Sequence, residues 1–391
     1  MPVTPPPVRA GSGYDPLASL YGADTPPAKD YRLRLASPVM GTEETEAVTS
    51  VIESGVLTNG PWTRRFEAAM AFRHGTDHAL AFANGTVALA AMYLAAGIGP
   101  GDEVIVPSFT FIATATSVVH VGATPVFADI DPITFNIDPA AVARCITPRT
   151  KAIVPVHYGG QPADMDRLLE LATAHGLSVF EDAAQAHGAS YRGRPAGSLG
   201  RAAMFSFTPV KAITTGEGAV VTTDDTDLAH RMRLLRNHGM DRPYHHEIVG
   251  YNWRLSEMQS ALGVKQLDRL DEILAVKAAN AQTMAALLAD LADVEAPTEL
   301  PDRTHPHTIY TIKVPPRLRD LVMDALDQVG IETRRYFPPA HLEPAFVGLA
   351  DHKLPVTESV AEQVVSLPFH SRITTEDLEE MAAIIGEVLE T

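Results

Sequence analysis

Lys211 stands in Phe205-Ser-Phe-Thr-Pro-Val-Lys-Ala-Ile-Thr-Thr-Gly-Glu-Gly218, in a Thr/Gly-rich loop that follows a short apolar run ending at Ser206. A lysine in such a loop is most often a solvated charge. An amine drawn out of water instead loses basicity and becomes a nucleophile suited to Schiff-base chemistry. The segment by itself leaves both readings open.

Two further segments bear on the choice. In Ala79-Leu-Ala-Phe-Ala-Asn84-Gly85-Thr86-Val-Ala-Leu-Ala, a strand pattern runs through Asn-Gly-Thr directly into a helix pattern. Glycine admits a ligand close to the backbone, and the free N–H groups and dipole of a helix start suit a phosphate. Thr86 adds a hydroxyl, although an ordinary N-cap accounts for the same residues. In Val179-Phe-Glu-Asp182-Ala-Ala-Gln185-Ala-His187, an apolar strand ends on a carboxylate and a small-residue helix is expected to begin. Ligands of open α/β sheets sit at the carboxyl ends of strands, where Asp182 falls. Asp182 and Gln185 are three apart and share a helix face. An aspartate beneath a pyridine ring keeps its nitrogen protonated, which is what makes pyridoxal phosphate an electron sink. The plainer reading makes Asp182 a cap and leaves Gln185 in solvent. Glu181 is expected to point the other way.

Phe111, in Pro107-Ser-Phe-Thr-Phe-Ile-Ala-Thr, either stacks on a planar cofactor or belongs to the core. Gly97-Ile-Gly-Pro-Gly101 precedes a strand, the wrong context for a dinucleotide loop, and reads as a turn. His245-His246, and His305 with His307, have no carboxylate at ligand spacing, so no metal site is expected. Neither a Walker loop nor a Gly-x-Ser-x-Gly elbow occurs.

The elements that position these residues alternate regularly. Apolar runs at 78–82, 103–106, 125–128, 152–156, 177–180, 202–205 and 219–222 are separated mostly by crossover-length helical stretches, such as Val87–Ala96, Phe111–Val121 and Met165–His175. This predicts a largely parallel sheet of about seven strands with helices on both faces. The last two runs are joined too tightly for a helix, so one of them is antiparallel. A long helical stretch from Ser256 to about Leu291 leads to a smaller α+β unit: strand-like 308–314, a helix at Leu318–Val329, and helices near Glu358–Val365 and Glu376–Leu389. The expected division is a Pro-rich arm at 1–30, a large domain at 31–268 and a small domain at 269–391.

With 391 residues the chain exceeds one compact core, and its 20% charged content is that of a globular protein. A net charge of −17 disfavours nucleic acid. No apolar run is long enough to span a bilayer. The lack of a signal-peptide pattern and the single cysteine, Cys145 in a helical stretch, fit a reducing, cytoplasmic setting.

Taken in order, Gly85-Thr86, Phe111, Asp182-x-x-Gln185 and Ser206-x-x-x-x-Lys211 resemble the DegT/DnrJ/EryC1/StrS family, from about Leu35 to the C-terminus. The resemblance implies a pyridoxal-phosphate-dependent transferase of fold type I that aminates nucleotide-linked keto sugars, passing through pyridoxamine phosphate, with L-glutamate as donor. It assigns Lys211 to covalent cofactor binding, Asp182 to the ring nitrogen and Gln185 to the ring's phenolic oxygen. Gly85, Thr86 and Ser206 match the phosphate cradle, and Phe111 the stacking aromatic. Gly250-Tyr-Asn252-Trp-Arg254 is similar to a segment lent by a second subunit, which implies a homodimer with shared sites. Tyr336-Phe-Pro-Pro-Ala-His341 resembles a stretch lining the sugar pocket, so Arg254, Tyr336 and His341 are candidate substrate contacts.

Lysine at position 211 sets the chain apart from family dehydratases, which carry histidine there. The Lys-x-Ile-Thr-Thr-Gly-Glu-Gly wording occurs more among members aminating C4 than C3. Ala212, Ala219, Thr208 and Gly159 depart from common family choices and bear on substrate identity. The alternatives are a C3-keto sugar or a keto-cyclitol as acceptor, or a non-catalytic sugar-nucleotide-binding or regulatory relative. A nicotinamide-dependent oxidoreductase lacks a correctly placed glycine fingerprint.

Overall fold

A computed structural model describes residues 29–349 and 353–390. The expected arm at 1–30 lies outside the described residues except for its last two positions. The seven expected runs form one sheet: β1 (His78–Phe82), β2 (Glu103–Pro107), β3 (Thr124–Ala128), β4 (Thr150–Ile153), β5 (Ser178–Asp182), then, after a short hairpin of β6 (Ser190–Tyr191) and β7 (Arg194–Pro195), β8 (Ala202–Ser206) and β9 (Ala219–Thr223). Their order is β1-β9-β8-β5-β4-β2-β3. β9 runs antiparallel to both of its neighbours, and the other strands share one direction.

Side-chain alternation explains how the sheet is buried on both faces. Leu80 and Phe82 of β1, Met204 of β8 and Val221 of β9 enter one apolar cluster with the helices Gly85–Ala95 and Thr226–Arg236. Ala79 and Ala81, Phe205 and Val220 enter another, with Phe66 and Met70 of the helix Pro61–His74. The structure is thus α/β, with helices on both faces of a mainly parallel sheet.

A separate apolar cluster gathers Leu33, Met284, Tyr310, Val322, Leu367 and Ile385. It joins the helices Leu270–Leu288, Pro316–Gln328 and Thr375–Leu389 to a two-stranded ladder in which Tyr310–Lys313 pairs with Val364–Leu367. Two expectations change here. The long helical stretch is interrupted at Arg269, giving Glu257–Asp268 and Leu270–Leu288. The helix expected near 358–365 ends at Ala361, because Val364 and Val365 supply the buried β-branched side chains of the ladder.

A third expectation fails beside the sheet. No helix follows Asp182: tight turns close from Ala186 N–H to the Ala183 carbonyl (2.9 Å) and from Ala189 N–H to the Ala186 carbonyl (3.0 Å), with Gly188 at φ 80°. Asp182 and Gln185 still face one way, since a three-residue turn also brings positions i and i+3 to the same side.

Candidate active site

The carboxyl ends of β1, β2, β5 and β8 open together onto a cavity of about 660 Å³, within the range of small-molecule sites. Gly85, Thr86, Phe111, Asp182, Gln185, Ser206, Lys211 and Tyr336 all line it. Segments far apart in sequence therefore converge on one space.

At one wall begins the helix Gly85–Ala95. Its N-cap, Asn84, accepts a hydrogen bond from Val87 N–H through Oδ1 at 3.1 Å. The N–H groups of Gly85 and Thr86 precede any intrahelical acceptor and carry the positive end of the dipole. A Cβ at position 85 would stand 3.2 Å from the Met204 sulfur, so glycine lets the helix start pack closely against the end of β8. Ser206, at the end of β8, lines the same cavity.

Asp182 is 4% exposed. Its Oδ2 accepts from Thr114 Oγ1 at 2.7 Å and its Oδ1 from Ala184 N–H at 3.2 Å. Burial raises its pKa, against the opposing pull of those two bonds and of the Lys211 charge. Its neighbour Glu181 faces the other side of the strand, as expected, and receives the N–H groups of Gly197, Leu199 and Gly200 and Nε2 of His157. Burial pushes Glu181 upward too, but that set of donors outweighs it and leaves the carboxyl below its ordinary value. Glu181 is saturated by the protein, whereas Asp182 retains accepting capacity toward the cavity.

Burial brings the Lys211 amine down to about 8, with the Asp182 charge opposing. A fair fraction of such an amine is neutral near pH 8 and able to act as nucleophile or base. Gln185 is buried, and its Oε1 accepts from Gly159 N–H at 2.7 Å. Gly159 has φ 63°, so the departure noted at this position gives the backbone a left-handed turn that a larger side chain would strain. Phe111 stands at the cavity edge, 57% exposed, its ring centroid 6.2 Å from that of Phe337.

Three candidates lie outside the cavity lining. Asn252 is exposed and bridges Asn237. Arg254 donates from Nη1 to Asn237 Oδ1 at 2.7 Å. His341 is buried, with Nδ1 2.6 Å from Ser108 Oγ, and anchors the segment after Tyr336 to the end of β2. Sequence reasoning had passed over Thr114, whose signal was its place one turn after Phe111. It had also passed over Thr308 and Phe369, which reach the cavity from the ladder region and carry no local motif.

A family model described as the DegT/DnrJ/EryC1/StrS aminotransferase family matches residues 38–386. The chain belongs to that family. It is a sugar aminotransferase of the pyridoxal-phosphate-dependent kind. It is 45% identical over 365 residues to the GDP-perosamine synthase of Caulobacter vibrioides, covering 92% of this chain and 98% of that one. It is 43% identical over 350 residues to the dTDP-3-amino-3,4,6-trideoxy-alpha-D-glucose transaminase of Streptomyces venezuelae, covering 88% and 92%. Among solved structures it resembles S. venezuelae DesV in complex with a ketimine intermediate, with TM-score 0.86, 42% identity and coverage of 89% and 95%.

The residues present fit pyridoxal phosphate. Asp182 is a buried carboxylate on the cavity wall that, among the described residues, has no ion-pair partner, and a protonated ring nitrogen is the charge it lacks. The start of the helix Gly85–Ala95, which lines the cavity at Gly85 and Thr86, suits the phosphate. Among the described residues no helix is long and apolar enough to cross a membrane.

Proposed function

We propose that this aminotransferase moves an amino group from L-glutamate to C4 of a nucleotide-linked 4-keto-6-deoxyhexose. The observation that carries the reading is the shared cavity, into which the Lys211 amine, the Asp182 carboxylate and the start of the helix Gly85–Ala95 all open. The C4 position is supported by the perosamine relative and by the Lys211-Ala-Ile-Thr-Thr-Gly-Glu-Gly218 wording. The dTDP-3-amino relative, almost as similar, favours amination at C3 as the second reading.

Lys211 would hold the cofactor covalently through Nζ, and the same amine, when free, would serve as base and acid at the donor's Cα. Asp182 would hold the ring nitrogen and keep it protonated. Gln185 would address the phenolic oxygen, Gly85, Thr86 and Ser206 would hold the phosphate, and Phe111 would stack on the ring. When bound, pyridoxal phosphate supplies the electron sink that stabilises the carbanion at the reacting carbon. Tyr336 borders the acceptor. Asn252 and Arg254 reach the site from a second copy in a homodimer. His341 acts on the acceptor's pocket through the segment it anchors. We place the enzyme in the cytoplasm. We also assign residues 31–268 to the cofactor-binding domain and 269–391 to a small domain, a division supported by the separate cluster around Met284 and Leu367.

The test uses purified protein with pyridoxal phosphate, L-glutamate and a panel of nucleotide-linked 3-keto and 4-keto sugars and keto-inositols. One 2-oxoglutarate per aminated product, with nitrogen on C4 by NMR, is the expected result. Nitrogen on C3, or turnover of the inositols alone, overturns the substrate assignment.

A further inference from the structure

We infer that Thr114 is a positioning residue for Asp182, locking the carboxylate in the rotation that offers its unused accepting capacity to a protonated ring nitrogen in the cavity. The inference rests on the reading of the cavity as a pyridoxal phosphate site. Thr114 is 1% exposed, lies in the helix Ala113–His120 after β2, and lines the cavity.

The hydrogen-bond directions follow from counting protons. The Thr114 hydroxyl has one hydrogen and three neighbours able to accept it: Asp182 Oδ2 at 2.7 Å, Thr110 Oγ1 at 2.8 Å and the Phe111 carbonyl at 3.2 Å. The carboxylate is the nearest of them and the only charged one, so it takes the proton. Thr110, buried like Thr114, then donates to Thr114 Oγ1. A directed chain runs from Thr110 through Thr114 to Asp182. Ala184 N–H occupies the other carboxylate oxygen at 3.2 Å. Each oxygen thus has one protein donor, and a carboxylate held at both oxygens cannot turn without breaking a bond.

Position also matters. Phe111 lies three residues before Thr114, so a single turn after β2 places both an aromatic ring at the cavity edge and the grip on the carboxylate. Among the described residues, the charged and titratable groups that act on Asp182 include Lys211, His157 and the Tyr93 hydroxyl. His157 is already committed to Glu181 and Ala163 N–H. Among the described residues, that leaves Thr114 as the only side chain hydrogen-bonded to Asp182. Its donation favours the ionised carboxylate; without it, burial acts with less opposition.

Cofactor-free wild-type, Thr114→Val, Thr114→Ser and Thr110→Val proteins are titrated with pyridoxal phosphate, following visible absorbance over a range of pH. Thr114→Val keeps the volume, removes the donor and raises the Kd by about tenfold. It also moves the acid-side loss of binding to higher pH, because Asp182 protonates earlier. Thr114→Ser restores the donor and stays within about twofold of wild type. Thr110→Val falls between them. A wild-type Kd and acid limb in Thr114→Val overturn the inference, as does damage in Thr114→Ser equal to that in Thr114→Val. A Thr114→Val loss seen only in melting temperature, with Kd and acid limb unmoved, also overturns it. Failure of the wild-type protein to bind pyridoxal phosphate speaks instead against the site reading itself.

Discussion

Lys211 and Lys277 are both amines withdrawn from water, yet only one lines the cavity. Lys277, in the helix Leu270–Leu288, is 3% exposed. It donates to the Phe369 carbonyl, lies 5.4 Å from that residue's ring and, among the described residues, has no carboxylate at ion-pair distance. Burial carries it down to about 7, and Lys211 to about 8. A perturbed amine is therefore a poor mark of function by itself. What distinguishes Lys211 is its company: a buried carboxylate, a helix start and an open space between them.

The largest expected effect separates the two lysines directly. Lys211→Ala lowers kcat by about a thousandfold, the scale of losing a positioned base, while Lys277→Ala stays within about tenfold. Equal losses in steady-state assays would erase the distinction. Next is the carboxylate: Asp182→Asn keeps the shape, removes the charge and lowers kcat by about a hundredfold. An asparagine variant at wild-type rate contradicts the role given to its charge.

The third effect concerns stability and has the opposite sign. The folded pKa of Lys277 lies below its ordinary 10.5, so the folded state binds fewer protons than the unfolded chain between about 7 and 10.5. This lysine's penalty is full below about 7, shrinks as pH rises and vanishes above 10.5. Lys277→Met therefore stabilises by about 1–2 kcal/mol at neutral pH, with the gain fading toward alkaline pH, in chemical denaturation series. A variant less stable at every pH would show that the bond to Phe369 outweighs the desolvation. The smallest effect lies at the far wall of the cavity. Gly85→Ala brings a Cβ to 3.2 Å from the Met204 sulfur and weakens pyridoxal phosphate binding by roughly fivefold. Unchanged affinity on titration would remove the helix start from the phosphate site.

Much of this architecture was legible because strands buried on both faces read as short apolar runs and the crossovers have characteristic lengths. All seven strands follow from that pattern, as does a reversal at one of the last two, which the structure places at β9. The place of Asp182 at a strand end was legible for the same reason, whereas Ser206 was singled out only through the resemblance to the family. The Asp182–Gln185 helix was misread because small residues suit helices and tight turns alike, and the Asx cap on Ala184 decides for turns. Val364–Leu367 was misread because its partner, Tyr310–Lys313, lies some fifty residues away and no local signal announces the pairing. The same distance hid Phe369 and Thr308 from any motif. The second lysine was invisible as well, since Ala275-Val-Lys277-Ala-Ala reads as an ordinary helix with an exposed charge.

The central claim is that the Lys211 amine, and not the likewise buried and shifted Lys277, forms the Schiff base with pyridoxal phosphate. Borohydride reduction of the wild-type protein saturated with pyridoxal phosphate, followed by peptide mass spectrometry, reads this out at residue resolution. The expected result is a pyridoxyl group on the peptide carrying Lys211 and an unmodified Lys277, with labelling lost in Lys211→Ala. A label on Lys277, or labelling that survives Lys211→Ala, contradicts it.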